Sequence, residues 1–321
     1  MSKQINGLKK AELLKKMCNE QGIISALAID QRGALKRMLG DDTTATQISE
    51  FKSLVSAILT PYASAILLDP EFGWEAANVR ENKTGLMMAY EKTGYDKAVE
   101  GHFPDLIDEV SVFRLKQKGA EAVKLLLYVD VDESDCINDR KKAFVERVSS
   151  ECKAEEIPLF LEILTYDANI DDEKEFARLK PHKVINAMRS YVDPKYGVDV
   201  FKVEVPVDMK YVEGFAEGEV LYSQQQAATY FAEQSSISAL PFIFLSAGVS
   251  AKLFQQTLIF AKQAGSHYNG VLCGRATWAE GAKIYKAQGK SAAVEWLKTK
   301  GVQNIQELNA VLKNNATSIR F

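Results

Sequence analysis

Eight short apolar runs, each followed by a stretch of helical periodicity, constrain this chain more than any other feature. The runs are IISALAID (23–30), ASAILLDP (63–70), TGLMMAYE (84–91) and EAVKLLLYVD (121–130), then IPLFLEILTY (157–166), DVFKVEVPV (199–207), LPFIFLSAGV (240–249) and NGVLCGRATW (269–278). Their length and continuity suit strands buried on both faces, as in a parallel sheet. Between them, positions such as Ile48, Phe51, Leu54, Val55 and Ile58 share one helical face. Ser223 and Ser250 are placed to cap the helices that follow them, and Gly119 and Gly265 to end helices. Strand then helix, eight times, predicts an α/β chain folded as a (β/α)8 TIM barrel. An open doubly wound sheet is the competing architecture, but no G-x-G-x-x-G follows the first run. No linker rich in Pro, Gly or Ser interrupts the 321 residues. Residues 1–321 therefore read as a single barrel domain, with an N-terminal helix and C-terminal helices packed on it.

Charge and cysteine usage exclude several classes. The net charge of -3 and pI near 5.8 offer no basic face for nucleic acid or an anionic membrane. An anionic ligand must then be caught by a local group of Lys and Arg. Cys18, Cys136, Cys152 and Cys273 show no C-x-x-C spacing, which argues for a reducing, cytoplasmic setting over a disulfide framework or a zinc site. The first residues lack the apolar core of a signal peptide, and no run approaches the ~20 apolar residues needed to span a bilayer.

The informative positions are those where a strand breaks its own pattern. Side chains alternate along a strand, so one face meets the helices and the other the barrel interior. In DVFKVEVPV, Phe201, Val203, Val205 and Val207 form the outer face, which turns Lys202 and Glu204 inward. The same test turns Lys124 inward, with Val123, Leu125 and Leu127 outward, and puts Glu162 on a face with Phe160 and Leu164. Asp30 ends the first run, Ser246 lies in the seventh and Arg275 in the eighth. Any one of these has a structural explanation, such as a Lys202–Glu204 ion pair. Six strands bringing polar groups to the end of a barrel where active sites lie point to function.

Two lysines, several carboxylates, a serine and an arginine suit covalent amine chemistry. Metal catalysis fits poorly, because His102, His182 and His267 all fall outside the runs. Free lysine is only about 0.04% neutral at pH 7, and burial beside a second cation raises that fraction. Lys124 and Lys202 are placed to repel one another in this way. Glu162, on the strand between them, is placed to carry protons; apolar surroundings would raise its pKa and the lysines oppose that rise. SAGVS (246–250) and CGRATW (273–278) each put a glycine near a helix start, where barrels frequently bind phosphate.

The segments ALAIDQRGALKRM, LLDPEFG, AYEKTGYD, ECKAEEIPLFLEILTYD, KVEVPVDMKYVEGFAEGEV, LSAGVSAKLFQ and NGVLCGRATWA resemble the tagatose 1,6-bisphosphate aldolases, a class I family of bacterial tagatose 6-phosphate (lactose and galactose) catabolism. The likeness runs from about residue 20 to about residue 315. It implies metal-free, cofactor-free cleavage of D-tagatose 1,6-bisphosphate to dihydroxyacetone phosphate and D-glyceraldehyde 3-phosphate, with tolerance of epimers such as fructose 1,6-bisphosphate. The family's Schiff-base lysine matches Lys202, its proton-transferring glutamate Glu162, its second lysine Lys124, and the aspartate that holds the scissile hydroxyl Asp30. Ser246, Gly248, Gly274 and Arg275 match the ketose-phosphate pocket, and Gln31 a substrate contact. The family also implies a homo-oligomer. A related sulfosugar aldolase, a 2-keto-acid lyase and a non-catalytic metabolite-sensing barrel are the alternative readings. Residues 71–82 are expected to line the distal end of the substrate, and VEGFAEGE (212–219) reads as a lid, a partner surface or a solvated loop.

Overall fold

The computed structural model describes residues 8–40, 42–93 and 99–321. Eight strands follow one another around a closed, all-parallel barrel. They are β1 (Ile24–Ala28), β2 (Ala65–Leu68), β3 (Gly85–Ala89), β4 (Ala122–Val129), β5 (Leu159–Thr165), β6 (Val200–Val203), β7 (Phe242–Leu245) and β8 (Gly270–Cys273). Each lies within one of the eight apolar runs. The helices are α1 (Leu8–Lys16), α2 (Gly33–Leu39), α3 (Ala45–Leu59), α4 (Trp74–Asn78), α5 (Val112–Gln117) and α6 (Asp135–Ala154), then α7 (Glu173–Arg189), α8 (Gln224–Ser236), α9 (Ala251–Gln263), α10 (Arg275–Gln288), α11 (Lys290–Trp296) and α12 (Val302–Asn315). Ser250 accepts from the backbone N–H of Leu253 at the start of α9. At the start of α8, Ser223 forms a reciprocal capping box with Gln226.

Strand alternation divides the apolar residues into two layers. Outward residues of the strands, such as Val123, Leu125, Leu161, Ile163, Phe201 and Val203, pack with the helices. Inward residues Ile24, Ala26, Leu67, Met87, Ala122, Phe160, Val200, Ile243 and Leu272 form a separate core. Leu14 and Met17 join that inner core, as does Ile319 near the other terminus, so the N-terminal mouth of the barrel is plugged. Ser64 donates to the Met17 carbonyl at 2.7 Å, and Ile319 N–H donates to Gly22 at 2.8 Å.

Above this plug the interior turns polar within one residue step per strand. Phe160 is followed on its inward face by Glu162, Val200 by Lys202 and Ala122 by Lys124. The register pairs Glu162 directly with Lys202, and Lys124 with Phe160.

Buried ion pairs fix several of the loops around this mouth. Lys52 of α3 and Asp69, at the end of β2, are paired and both fully buried. Asp69 Oδ1 also accepts from the backbone of Glu71 at 3.1 Å and Phe72 at 2.9 Å, which fixes the loop after β2. Removing one partner of a buried pair costs ~3–5 kcal/mol. Lys52→Met should therefore lower the urea midpoint by an equivalent amount. Lys52→Met/Asp69→Asn, which keeps the Oδ1 acceptor and discards the orphaned charge, should recover most of the loss. A single variant as stable as the parent would show that the pair contributes nothing.

Candidate active site

At the C-terminal end of the strands lies a cavity of about 910 Å³, a size suited to a small-molecule site. Its wall contains every site residue expected from the sequence: Asp30, Gln31, Lys124, Glu162, Lys202, Ser246, Gly248, Gly274 and Arg275. Residues come from β1, β4, β5, β6, β7 and β8 and from the segment just after β3, as barrel mouths assemble groups distant in sequence.

At its floor is a network of buried charges. Lys124 Nζ lies 2.8 Å from Asp30, 2.6 Å from Glu91 and 3.0 Å from Glu162. An ammonium has three N–H donors, and each here has a carboxylate. Lys202 Nζ lies 2.7 Å from the other oxygen of Glu162 and has no second carboxylate within 4 Å among the described residues. Glu162 thus bridges the two lysines. Glu204 points into the same cavity but accepts instead from the backbone and hydroxyl of Thr165, each at 2.7 Å, and pairs with Lys180 at 3.3 Å. The structural Lys202–Glu204 pair considered from the sequence is not formed.

The electrostatics correct two expectations. Burial alone would lower the pKa of Lys124, but Asp30, Glu162 and Glu91 together raise it well above lysine's ordinary value. Lys124 is a caged cation, so the depression expected from a neighbouring lysine is not met at Lys124. Burial likewise acts to raise Glu162, yet Lys124 and Lys202 outweigh it and hold the carboxyl below its ordinary value. The apolar company expected for Glu162 is therefore overridden. Asp30 follows the same logic: desolvation is outweighed by Lys124 and Lys202, and its pKa lies far below the carboxylate range.

A second part of the wall is made of backbone and one cation. Ala247 (φ 48°) and Gly248 (φ 83°) are both left-handed, so the loop after β7 turns sharply behind Ser246. A Cβ on Gly248 would lie 3.1 Å from Arg275 Nη2, so glycine suits both the left-handed turn and the close approach of the guanidinium. Arg275 is the first residue of α10, and Gly274 its N-cap, with no side chain capping the N-terminus. Unpaired N–H groups, the positive end of a 14-residue helix and an arginine make this wall suitable for an anion. Gln31 Nε2 donates to Asp30 at 3.1 Å, while its buried Oε1 has no hydrogen-bond partner.

Several wall residues were not expected from the sequence: Glu91, Arg32, Arg37, Lys92, Tyr128 and Thr165. Glu91 carried a usable signal, because it continues the inward face of Met87 and Ala89 and closes its run as Asp30 closes the first. Residues 71–82 are not in the wall; Glu71, Phe72 and Trp74 instead line an outer groove with Phe113. The 212–219 segment is tied down, with Val212 bridged to Tyr222, Phe215 edge-on to Phe260, and Glu219 paired with Lys174 at 2.7 Å. None of its residues lines the cavity.

The three histidines lie outside the strands. Among the described residues one group of three carboxylates is close enough to share an ion, Asp130, Asp132 and Asp167. The Lys183 ammonium already fills its centre, pairing with Asp130 and lying 2.8 Å from both Asp132 and Asp167.

A paired lysine and glutamate beneath a wall suited to an anion, at the mouth of a (β/α)8 barrel, fit an aldolase, a lyase, and the comparisons show that class. Residues 24–280 match the family described as DeoC/LacD family aldolase, and the chain belongs to that family. It is 59% identical over 314 residues to tagatose 1,6-diphosphate aldolase 1 of Enterococcus faecalis, covering 97% of this chain and 96% of that protein. It is 56% identical over 315 residues to tagatose 1,6-diphosphate aldolase of Staphylococcus haemolyticus, covering 96% and 97%. The fold is shared with the fructose-bisphosphate aldolase of Plasmodium falciparum at a TM-score of 0.74, 15% identity and 98% coverage of each chain. A Schiff-base-forming fructose-1,6-bisphosphate aldolase gives a TM-score of 0.55 at 15% identity, over 90% of this chain and 98% of that one. No helix among the described residues is long and apolar enough to cross a membrane.

Because Asp30 has a depressed pKa, it stabilises the fold above the unfolded value of about 3.9, and that stability is lost as pH falls through the folded value. The wild type should therefore lose stability steeply below about pH 4. Asp30→Asn should bind up to one proton fewer on unfolding in that window, measured as a shallower dependence of Tm on pH. An identical slope would mean that Asp30 is not held ionised.

Proposed function

We propose that this chain is a class I aldolase that cleaves D-tagatose 1,6-bisphosphate to dihydroxyacetone phosphate and D-glyceraldehyde 3-phosphate through a Schiff base on Lys202. The observation that carries the choice of lysine is the contrast in carboxylate partners. Lys124 is caged by three, whereas Glu162, at 2.7 Å, is the one carboxylate paired with Lys202 among the described residues. A caged ammonium has no lone pair to offer; an amine that can hand its proton to one adjacent carboxylate can acquire one.

In this reading the Lys202 amine adds to the C2 carbonyl of the ketose. Glu162 gives a proton to the carbinolamine hydroxyl, which leaves as water, and an iminium forms. Asp30 takes the proton of the C4 hydroxyl as the C3–C4 bond breaks, and the electron pair passes to the iminium as an enamine. Asp30 releases its proton to water and Glu162 takes one up from water, so that Glu162 can protonate C3; addition of water to the resulting iminium then frees the amine and the ketone. Lys124 orients the two carboxylates from between them and stabilises the oxygens as charge develops. Gln31 Oε1, the unpartnered acceptor, takes a substrate hydroxyl. Ser246, Gly248, Gly274 and Arg275 hold the ketose phosphate, leaving Arg37 available to the second; Lys92 is already paired with Asp105 and Asp108. Fructose 1,6-bisphosphate differs only at a hydroxyl-bearing carbon and is accepted by the same machinery. The reaction proceeds without metal, because the chemistry is carried by an amine; the tri-carboxylate cluster found among the described residues is filled by Lys183. The whole chain acts as one catalytic domain of a cytoplasmic homo-oligomer.

Borohydride reduction with dihydroxyacetone phosphate should add the triose-phosphate mass to one peptide, the one containing Lys202. Lys202→Met should abolish the adduct; a label on Lys124 would reverse the assignment. Arg275→Ala should weaken dihydroxyacetone phosphate by ~1.5–3 kcal/mol, the range for charge-assisted hydrogen bonds. Unchanged affinity in titration calorimetry would return Arg275 to a structural role.

A further inference from the structure

Glu91 has no part in the mechanism above, yet it is among the most buried charged groups in the protein, 2% exposed. Both of its oxygens are committed to β4: Oε1 accepts from Lys124 Nζ at 2.6 Å and Oε2 from the Leu126 backbone N–H at 3.1 Å. The segment that carries it is fixed as well. Arg32, 5% exposed, donates from Nη2 to the Glu91 carbonyl at 2.8 Å and from Nη1 to Glu71 at 2.7 Å. The same Arg32 nitrogen lies 3.9 Å from the Glu91 carboxylate.

We infer that Glu91 is a positioning residue, held by Arg32, whose negative charge keeps the Lys124 side chain a cation and aims its remaining two N–H groups at Asp30 and Glu162. The inference rests on the reading of Lys202 as nucleophile and of Glu162 and Asp30 as proton carriers. Without Glu91, one ammonium proton would lack its carboxylate and the lysine could rotate about its terminal bonds. Asp30 and Glu162 would then lose their fixed separation, although each keeps its place on its own strand.

Charge gives the inference a direction. Facing the Glu91 carboxylate are Lys124 of β4, with Asp30 and Arg32 after β1 and Tyr128 of β4; Arg32 is shared in turn with Glu71 and Asp69 after β2, and Lys124 with Glu162 of β5, which also holds Lys202 of β6. Glu91 itself is pushed up by burial, against the pull of Lys124 and Arg32. Removing its charge makes the cluster more positive. Lys124 then gives up its proton at lower pH, and Asp30 and Glu162 are protonated only at lower pH. Both limbs of the pH–rate profile should move the same way, toward acid. Removing the positive charge of Arg32 should move both limbs toward alkali.

The test compares Glu91→Gln, Glu91→Asp and Arg32→Gln with the parent in kcat against pH, alongside borohydride trapping of each. Glu91→Gln should shift both limbs down by on the order of one pH unit, the size expected for one buried charge at contact distance. Its kcat should fall with little change in KM. Glu91→Asp keeps the charge but shortens the reach, so kcat should fall while the limbs stay in place. Arg32→Gln should shift the limbs upward, and tests the idea even if Glu91→Gln does not fold. All three variants should still trap dihydroxyacetone phosphate on Lys202. A folded Glu91→Gln with an unmoved profile, or limbs that move alike in the Gln and Asp variants, would overturn the inference. Failure of the parent itself to trap on Lys202 would overturn the proposed mechanism instead, so the two failures are distinct.

Discussion

The site depends on one interaction, the Lys124 ammonium shared among Asp30, Glu91 and Glu162. Four ionised groups with little or no solvent contact cost several kcal/mol each to desolvate, and only close pairing makes such a cluster tolerable. The pairing also decides the chemistry. With three partners Lys124 is fixed as a cation, and as a cation it holds Asp30 and Glu162 ionised against burial. Lys202 joins the edge of this network through Glu162 alone. Lys124 thus serves as the electrostatic anchor and Lys202 is held by a single carboxylate, although both are inward lysines on neighbouring-but-one strands.

The barrel supports this by separating stability from reactivity along its axis. Its lower interior is apolar and sealed by Leu14, Met17 and Ile319. Its outer layer packs a continuous apolar surface against the helices. Further buried lysines occur near strand ends and are paired with aspartates: Lys52 with Asp69, Lys183 with Asp130, and Lys10 with Asp199 at 2.7 Å. Each ties a helix to the end of a strand. The first two hold loops at the mouth, with Lys52 also acting electrostatically on Asp30, and the third ties α1 to the opposite end of the barrel, before β6.

Period-two alternation made the strands and most of the site legible. It turned Lys124, Glu162 and Lys202 inward because their outward neighbours are uniformly aliphatic or aromatic. It was less informative where a strand ends. Glu91 lies two residues past the last residue of β3, where a terminal charge is as easily read as the start of a solvated loop. Arg32 and Arg37 were hidden for another reason: they lie in the loop after β1 and on α2, and no periodicity says which way a loop arginine turns. The behaviour of Glu162 was not legible either. Its sequence neighbours are apolar, but its spatial neighbours are two ammonium groups from adjacent strands, and pKa follows space. The expected place of residues 71–82 failed because the β2 loop folds outward against α5, with Lys118 over the Trp74 ring.

Charge balance explains how an acidic protein presents an anion site. The chain carries a net charge of -3, yet the cavity wall holds six cations, Arg32, Arg37, Lys92, Lys124, Lys202 and Arg275, against four carboxylates, Asp30, Glu91, Glu162 and Glu204. The arrangement is layered as well as biased. The carboxylates lie on or just beyond β1, β3, β5 and β6, where three of them contact a lysine within the barrel. Arg275 lies at the rim, on the first turn of α10, and has no carboxylate within 4 Å among the described residues. A dianion approaching the mouth meets uncompensated positive charge and helix N–H groups before it meets any carboxylate, and a concave low-dielectric wall strengthens that field. Arg32 and Lys92 are paired with carboxylates outside the wall, Glu71, Asp105 and Asp108, so the positive charge left without a carboxylate partner among the described residues lies at Arg275 and Arg37, above the paired charges of the floor.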